Sequence, residues 1–343
     1  MQQLIAQVER GRIPDPLVRA GIRQLLKQRL REESADVEAA NQRLYALIES
    51  MAASPVAMST ELANEQHYEL PAAFFLRALG PRLKYSCCLW PAGVDTLEQA
   101  EVAMLGLTCE RAGLEDGQDV LELGCGWGSL SLWMAEHYPS SRITVVSNSG
   151  SQRAFIEEQR DQRGLGNLTV ITADMNDFDT ELRFDRVVSL EMFEHMRNQA
   201  ELMRRVSGWL RPGGRLFVHI FCHRELAYVF RTEGDDNWMG KYFFTDGLMP
   251  SDNLLLHFQN ELRLQRRWRV NGVHYEKTSN AWLARMDAAR AELLPVFAQV
   301  YGDDEAERWI NRWRVFFMSC AELFGFAGGN EWYVSHYLFE KPA

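Results

Sequence analysis

The chain is predicted to be an α/β protein with a doubly wound, mostly parallel sheet, a helical N-terminal region and a helical cap insertion near the C-terminus. Three observations carry this reading. Between Thr96 and Phe221, apolar runs of strand length alternate with helical patterns, the signature of βαβ units. The first of those strands runs into a glycine cluster that opens a helix. Beyond Phe221 the alternation stops, and more than half of the aromatic residues of the chain lie there.

Taken in order, residues 1–94 read as helical. Leu17, Val18, Ile22, Leu25, Leu26 and Leu30 recur at helical spacing with basic residues between them, and a second helix is expected from Asp36 to Met51. A breaker-rich stretch from Ala52 to Thr60 follows. The core, residues 95–225, opens with a helix over Leu97–Ala112 and the strand Asp119–Leu123. Next come a helix (Leu130–His137), a strand (Arg142–Ser147), a helix (Ser151–Arg163) and strands at Leu168–Thr172 and Arg186–Leu190. A helix from Gln199 to Leu210 and an Arg-Pro-Gly-Gly turn launch the strand Arg215–Phe221. Residues 226–343 form an aromatic, mainly helical cap, with two strands, Leu262–Val270 and Tyr333–Phe339, closing the sheet.

Composition narrows the function. The net charge of −10 argues against a nucleic-acid partner, which would need a basic face to neutralise phosphates. No apolar run reaches the ~18 residues of a membrane span, so no stable membrane insertion is expected. Six cysteines without a CxxC pair suit a reduced, cytoplasmic protein, and no metal is required. A homodimer is compatible with this reading.

The sharpest motif is Val120-Leu-Glu-Leu-Gly-Cys-Gly-Trp-Gly-Ser129. Gly124, Gly126 and Gly128 permit a tight turn and close approach of a ligand to the backbone, and the helix that follows favours an anionic group. The spacing is GxGxG rather than the GxGxxG of a dinucleotide site, with the acidic Glu122 two residues ahead. That combination suits S-adenosyl-L-methionine, whose carboxylate would meet the loop amides and whose ammonium would meet Glu122. At the ends of the next two strands, Asn148 and Gln152 are candidates for the ribose, and Asp174, Met175 and Asn176 for the adenine.

The fourth strand ends in Glu191-Met-Phe-Glu-His-Met196, placing Glu191, Glu194 and His195 where active crevices form in such sheets. Two carboxylates and an imidazole suit proton transfer. An alkyl amine must lose a proton before it can attack a methyl donor, and this cluster could accept it.

At these residues the chain resembles the cyclopropane-fatty-acyl-phospholipid synthase superfamily, and within it the coclaurine N-methyltransferase branch. The resemblance is carried by HYELP at 67–71, YSCC at 85–88, LELGCGWGSLSL at 121–132, NSGSQ at 148–152, EMFEHM at 191–196, YFFTDGLMPS at 242–251 and HYEKT at 274–278. It implies a small cyclic or aryl-alkyl amine as substrate, with Glu191, Glu194 and His195 catalytic and Tyr85 and Ser86 in the cofactor site. The lipid branch usually has glycine at the position of Glu191, and binds bicarbonate through residues that match Cys87, Glu194, His219 and Tyr275. One-carbon transfer to an unsaturated acyl chain therefore stands as the alternative, and a non-catalytic cofactor-binding protein as a third reading. Tyr85, Trp238, Phe244, Tyr275, Phe326 and Trp332 are the candidate pocket walls.

Overall fold

A computed structural model describes residues 2–34, 36–58, 70–234 and 237–343. The first three residues of the HYELP motif, at 67–69, lie outside the described residues. The N-terminal region holds α1 (Gln2–Glu9), α2 (Asp15–Ser34), α3 (Val37–Ala52) and α4 (Ala72–Ala78). The core follows as α5 (Leu97–Ala112), β1 (Asp119–Leu123), α6 (Ser129–His137), β2 (Arg142–Ser147), α7 (Gly150–Arg163), β3 (Leu168–Thr172), β4 (Phe184–Leu190), α8 (Gln199–Trp209) and β5 (Leu210–His223). Then come β6 (Tyr228–Val229), α9 (Trp238–Tyr242), β7 (Leu248–Met249), β8 (Arg263–Val270), α10 (Val273–Ala288), α11 (Arg290–Tyr301), α12 (Asp303–Gly325) and β9 (Trp332–Glu340).

Seven strands form one sheet in the order β3-β2-β1-β4-β5-β9-β8. The first five are parallel, and β9 enters antiparallel between β5 and β8. All five residues of β1 are buried, as expected of a central strand covered on both faces. One face packs Leu121, Leu123, Val187 and Val218 with Met203, Val206 and Trp209 of α8. The other packs Val120, Val145 and Phe217 with Leu105, Cys109, Leu132, Met134 and Ile156 of α5, α6 and α7. A third cluster joins α4, α10, α11 and α12 around Phe74, Trp282, Phe297, Trp313 and Phe317, and absorbs much of the C-terminal aromatic density.

Local chemistry sets the element ends. Thr96 and Gln99 form a reciprocal capping box on α5, and Gly113 closes it in the left-handed conformation. Two departures from the expected elements have plain causes. β5 begins at Leu210 because that residue still pairs with Phe184 before the Pro-Gly-Gly irregularity, so the turn lies within the strand. The short helix α1 and the two-residue ladder of β6 and β7 carry too little periodicity to be read from sequence. Among the described residues no helix is long and apolar enough to cross a membrane.

The stretch after α3 is stitched to the sheet's active end. Val56 O accepts from Arg197 N at 2.7 Å, and Ala57 bridges Met196. The Asn176 side chain accepts from Ala57 N at 3.0 Å and donates to Ala57 O at 3.1 Å.

Candidate active site

The carboxyl ends of β1, β2, β3 and β4 open on a cavity lined by Gly124, Gly126, Ser147, Asn148, Gln152, Met175, Glu191 and His195, together with Ala57, Met58, Met192 and Met196. Gly124, Gly126 and Gly128 all take positive φ, at 78°, 52° and 80°. A side chain on Gly124 would strike Met192, and one on Gly128 would strike Ile156. One on Gly126 would meet nothing within 4 Å. Gly126 is called for by its left-handed backbone and leaves open space on the cavity side, which is the cradle a ligand backbone contact needs. Gln152 Nε2 is buried without a partner among the described residues and belongs to the same wall. The cradle, the open amide wall and Met175 fit a nucleoside carrying an amino acid.

The sequence-predicted cofactor residues do not all reach that wall. Glu122 is buried beneath the loop, with Oε2 accepting from Ser131 Oγ at 2.5 Å, and burial raises its carboxyl to about 8. Asp174 accepts from Asn176 N at 2.7 Å, and the Asn176 side chain is taken up by Ala57. Ser86 accepts from the buried Lys84 Nζ, and Tyr85 packs between Phe75 and Trp282; neither lines the cavity.

Glu191 is the centre of the site. It sits at φ +48°, a left-handed conformation costing a non-glycine residue roughly 1–2 kcal/mol, held by its N–H donating to His219 O at 2.8 Å. Its side chain is 9% exposed. Oε1 accepts from Cys87 N at 2.9 Å and faces His219 Nε2 at 3.1 Å, and Oε2 accepts from Tyr275 OH at 2.6 Å. Burial raises its carboxyl above the usual range, while Lys84 and these donors pull the other way. The Cys87 thiol, buried beside Glu191, is held well above its ordinary value and stays protonated; Cys87 contributes its backbone amide.

Glu194 is fully buried. Its Oε1 accepts from Phe221 N at 2.9 Å, and Oε2 has no partner among the described residues. Burial, then the charge of Glu191, raises it well above the carboxylate range. His195 lies on the cavity wall against Phe244, with ring centroids 4.7 Å apart, and burial lowers it to about 4.

Of the candidate pocket walls, Phe244 touches His195, and Tyr275 donates to Glu191 while stacking on Phe324 at 4.2 Å. Trp238 packs on Tyr242 and Phe243, and Phe326 packs on Trp332. Trp332 is fully buried against His223, a core position rather than a wall. Sequence reasoning missed Lys84, Arg111 and His336. His336 stands opposite His219 in the β5–β9 ladder, so only the register could have pointed to it.

The chain is similar to several known proteins. The family model described as mycolic acid cyclopropane synthetase matches residues 58–330. (S)-Coclaurine N-methyltransferase of Thalictrum flavum subsp. glaucum is 38% identical over 99% of this chain and 95% of that one. Cyclopropane-fatty-acyl-phospholipid synthase of Escherichia coli (strain K12) is 31% identical over 77% of this chain and 64% of that one. The crystal structure of coclaurine N-methyltransferase bound to N-methylheliamine and SAH superposes with a TM-score of 0.95 at 37% identity, covering 99% of both chains.

Proposed function

The chain belongs to the mycolic acid cyclopropane synthetase family, and from that membership we propose that it is an S-adenosyl-L-methionine-dependent N-methyltransferase acting on a small cyclic or aryl-alkyl amine. Relatives at 30% identity or better include both amine-methylating and lipid-modifying enzymes, so membership alone does not select the acceptor.

One observation carries the choice. Of the four residues matching those that hold bicarbonate in the lipid branch, Cys87 through its N–H, His219 and Tyr275 converge on the Glu191 carboxylate, while the fourth, Glu194, accepts from Phe221 N. The anion of this site is thus a side chain of the protein. A second, dissolved anion placed there would lie against a buried carboxylate with its donors already spent. The residues of the lipid chemistry are retained, and they serve Glu191.

The proposed mechanism uses the chain's own groups. Gly124 and Gly126 present the loop to the methionine part of the cofactor, Gly128 opens α6 against Ile156, and Asn148, Gln152 and Met175 receive the nucleoside. Glu122 beneath the loop supplies negative charge for the ammonium, which favours ionising a carboxyl that burial alone raises. The bound cofactor supplies an electrophilic methyl group. Glu194, fully buried and outside the cavity lining, keeps Oε2 without a partner among the described residues. We assign that oxygen as the acceptor of the amine proton once a substrate displaces the wall around it, its raised affinity for a proton suiting the base for an alkylammonium. Glu191 balances the cationic nitrogen, and His195, kept neutral, orients it beside Phe244.

The test is acceptor competition with methyl-labelled S-adenosyl-L-methionine. One reaction holds 1,2,3,4-tetrahydroisoquinoline and the other holds vesicles of unsaturated phospholipid, each with and without bicarbonate. Label in the amine at a rate indifferent to bicarbonate is the expected result. Label in the lipid that rises with bicarbonate overturns the proposal.

A further inference from the structure

We propose that Arg111, acting through His336, is a positioning residue that fixes His219 as a one-way hydrogen-bond donor to Glu191. The functional consequence rests on the role given above to Glu191. The geometry does not.

Four groups form an unbranched chain. Arg111 Nη1 lies 2.9 Å from His336 Nδ1, His336 Nε2 lies 2.9 Å from His219 Nδ1, and His219 Nε2 lies 3.1 Å from Glu191 Oε1. Both rings are fully buried, and the two histidines are direct partners across β5 and β9. A guanidinium only donates, so His336 Nδ1 must be its acceptor. A neutral ring with a lone pair on Nδ1 carries its proton on Nε2, so His336 donates to His219 Nδ1. The same step repeated gives His219 a proton on Nε2, aimed at Glu191. One terminal cation thus sets both tautomers.

This polarity has a chemical consequence. His219 has no lone pair facing the site, so it cannot take a proton from Glu191 or from an acceptor. The outer end of the chain is closed as well, because an arginine does not release its proton. A proton removed from substrate therefore has no exit through the sheet and must leave by Glu194, His195 or the cavity.

The opposite arrangement shows what Arg111 prevents. With Nδ1 of each ring protonated, a bare Nε2 would face a carboxylate, and Glu191 would have to bind a proton to keep the contact. The other ionisable groups around Glu191 are Lys84, Cys87 and Cys88 on the turn before α5, Glu194 and His195 on its own segment, Tyr275 on α10 and Cys320 on α12. Arg111 itself rests on the ring of Trp268 at 5.1 Å, as does Arg266, which makes Arg266→Met a control for loss of a nearby positive charge.

The experiment uses the full chain labelled with 15N-histidine and long-range nitrogen–proton correlation spectra, with no acceptor added. His219 and His336 are expected as neutral Nε2–H rings, unchanged from about pH 6 to 8. In Arg111→Met the pair should lose that single tautomer, whereas Arg266→Met should keep it. With 1,2,3,4-tetrahydroisoquinoline as acceptor, Arg111→Met should move the acid limb of kcat/KM to higher pH and lose about tenfold below neutrality, from a weakened charge-assisted bond. An imidazolium or Nδ1–H ring in the unsubstituted protein overturns the proposal, as does an Arg111→Met spectrum identical to it. If no amine is methylated, the acceptor assignment falls while the spectra still decide this point.

Discussion

At the scale of single residues, the site is governed by what burial does to charge. Glu194 has one oxygen committed to Phe221 N and one facing nothing, and burial raises its proton affinity, which makes its ionised form a stronger base than an exposed carboxylate. Glu194→Gln should reduce methyl transfer by about 100-fold or more while leaving cofactor affinity within about twofold. Rate assays beside calorimetric titration with the cofactor check this, and an equal loss in both would contradict the role. Glu122 gives a pH prediction whose sign follows from its raised carboxyl, about 8 in the fold against 4.5 when unfolded. Above pH 4.5 the unfolded chain ionises and the folded chain does not, so rising pH favours unfolding until the folded group also ionises near 8. In cofactor-free protein, Glu122→Gln should therefore gain stability relative to the parent chain across that window, as denaturant titrations at several pH values would read. A constant difference would show that Glu122 is not held neutral.

Elements bring these residues together, and here the limits of the sequence are visible. β1, β2 and β3 were legible because short segments rich in Val, Ile, Leu and Thr, each bounded by glycine or polar breakers and alternating with helical patterns, admit few other readings. The glycine loop and the acidic run after β4 were legible because each lies within one short segment. Glu191's partners were not. Cys87 comes from the turn before α5, His219 from β5 and Tyr275 from α10, and no spacing along the chain encodes their meeting. Nor could it show that Asn176 holds Ala57 instead of a nucleoside, since that contact joins positions 119 residues apart. Asn176→Ala should weaken cofactor binding several-fold by loosening the Ala57–Met58 wall, at a stability cost of about 1–2 kcal/mol for two lost hydrogen bonds. Binding as tight as in the parent protein would mean that this wall is held by Val56 and Met196 alone.

Across the whole molecule, the N-terminal helices and the C-terminal cap act as one brace. Glu9, at the end of α1, is nearly fully buried; it accepts from Trp238 Nε1 at 3.0 Å, Arg308 Nε at 2.8 Å and Arg312 Nη2 at 3.2 Å. Arg312 in turn stacks over Tyr242 and Trp309. Burial alone raises the Glu9 carboxyl, but the bonds from Arg312, Trp238 and Arg308 outweigh it and leave it below the usual range. Glu9→Ala should destabilise by about 3 kcal/mol at neutral pH, because it strands the buried Arg312. The difference should shrink as acid protonates Glu9 in the parent chain, since a depressed carboxyl contributes stability that is lost as pH falls through its folded value. Equal denaturation midpoints at neutral pH would exclude the brace.

The position of β9 has a further consequence for how the molecule comes into being. Of the seven strands of the sheet it is made last but lies between β5 and β8, so β5 waits with an unpaired edge while more than a hundred residues are synthesised. Such an edge invites pairing with another chain until its proper neighbour arrives. His219 is made with β5 and His336 with β9, so the imidazole pair behind Glu191 can be assembled only once β9 has been synthesised. The glycine loop after β1 is complete long before then, whereas the fixed hydrogen-bond donor behind Glu191 waits for β9.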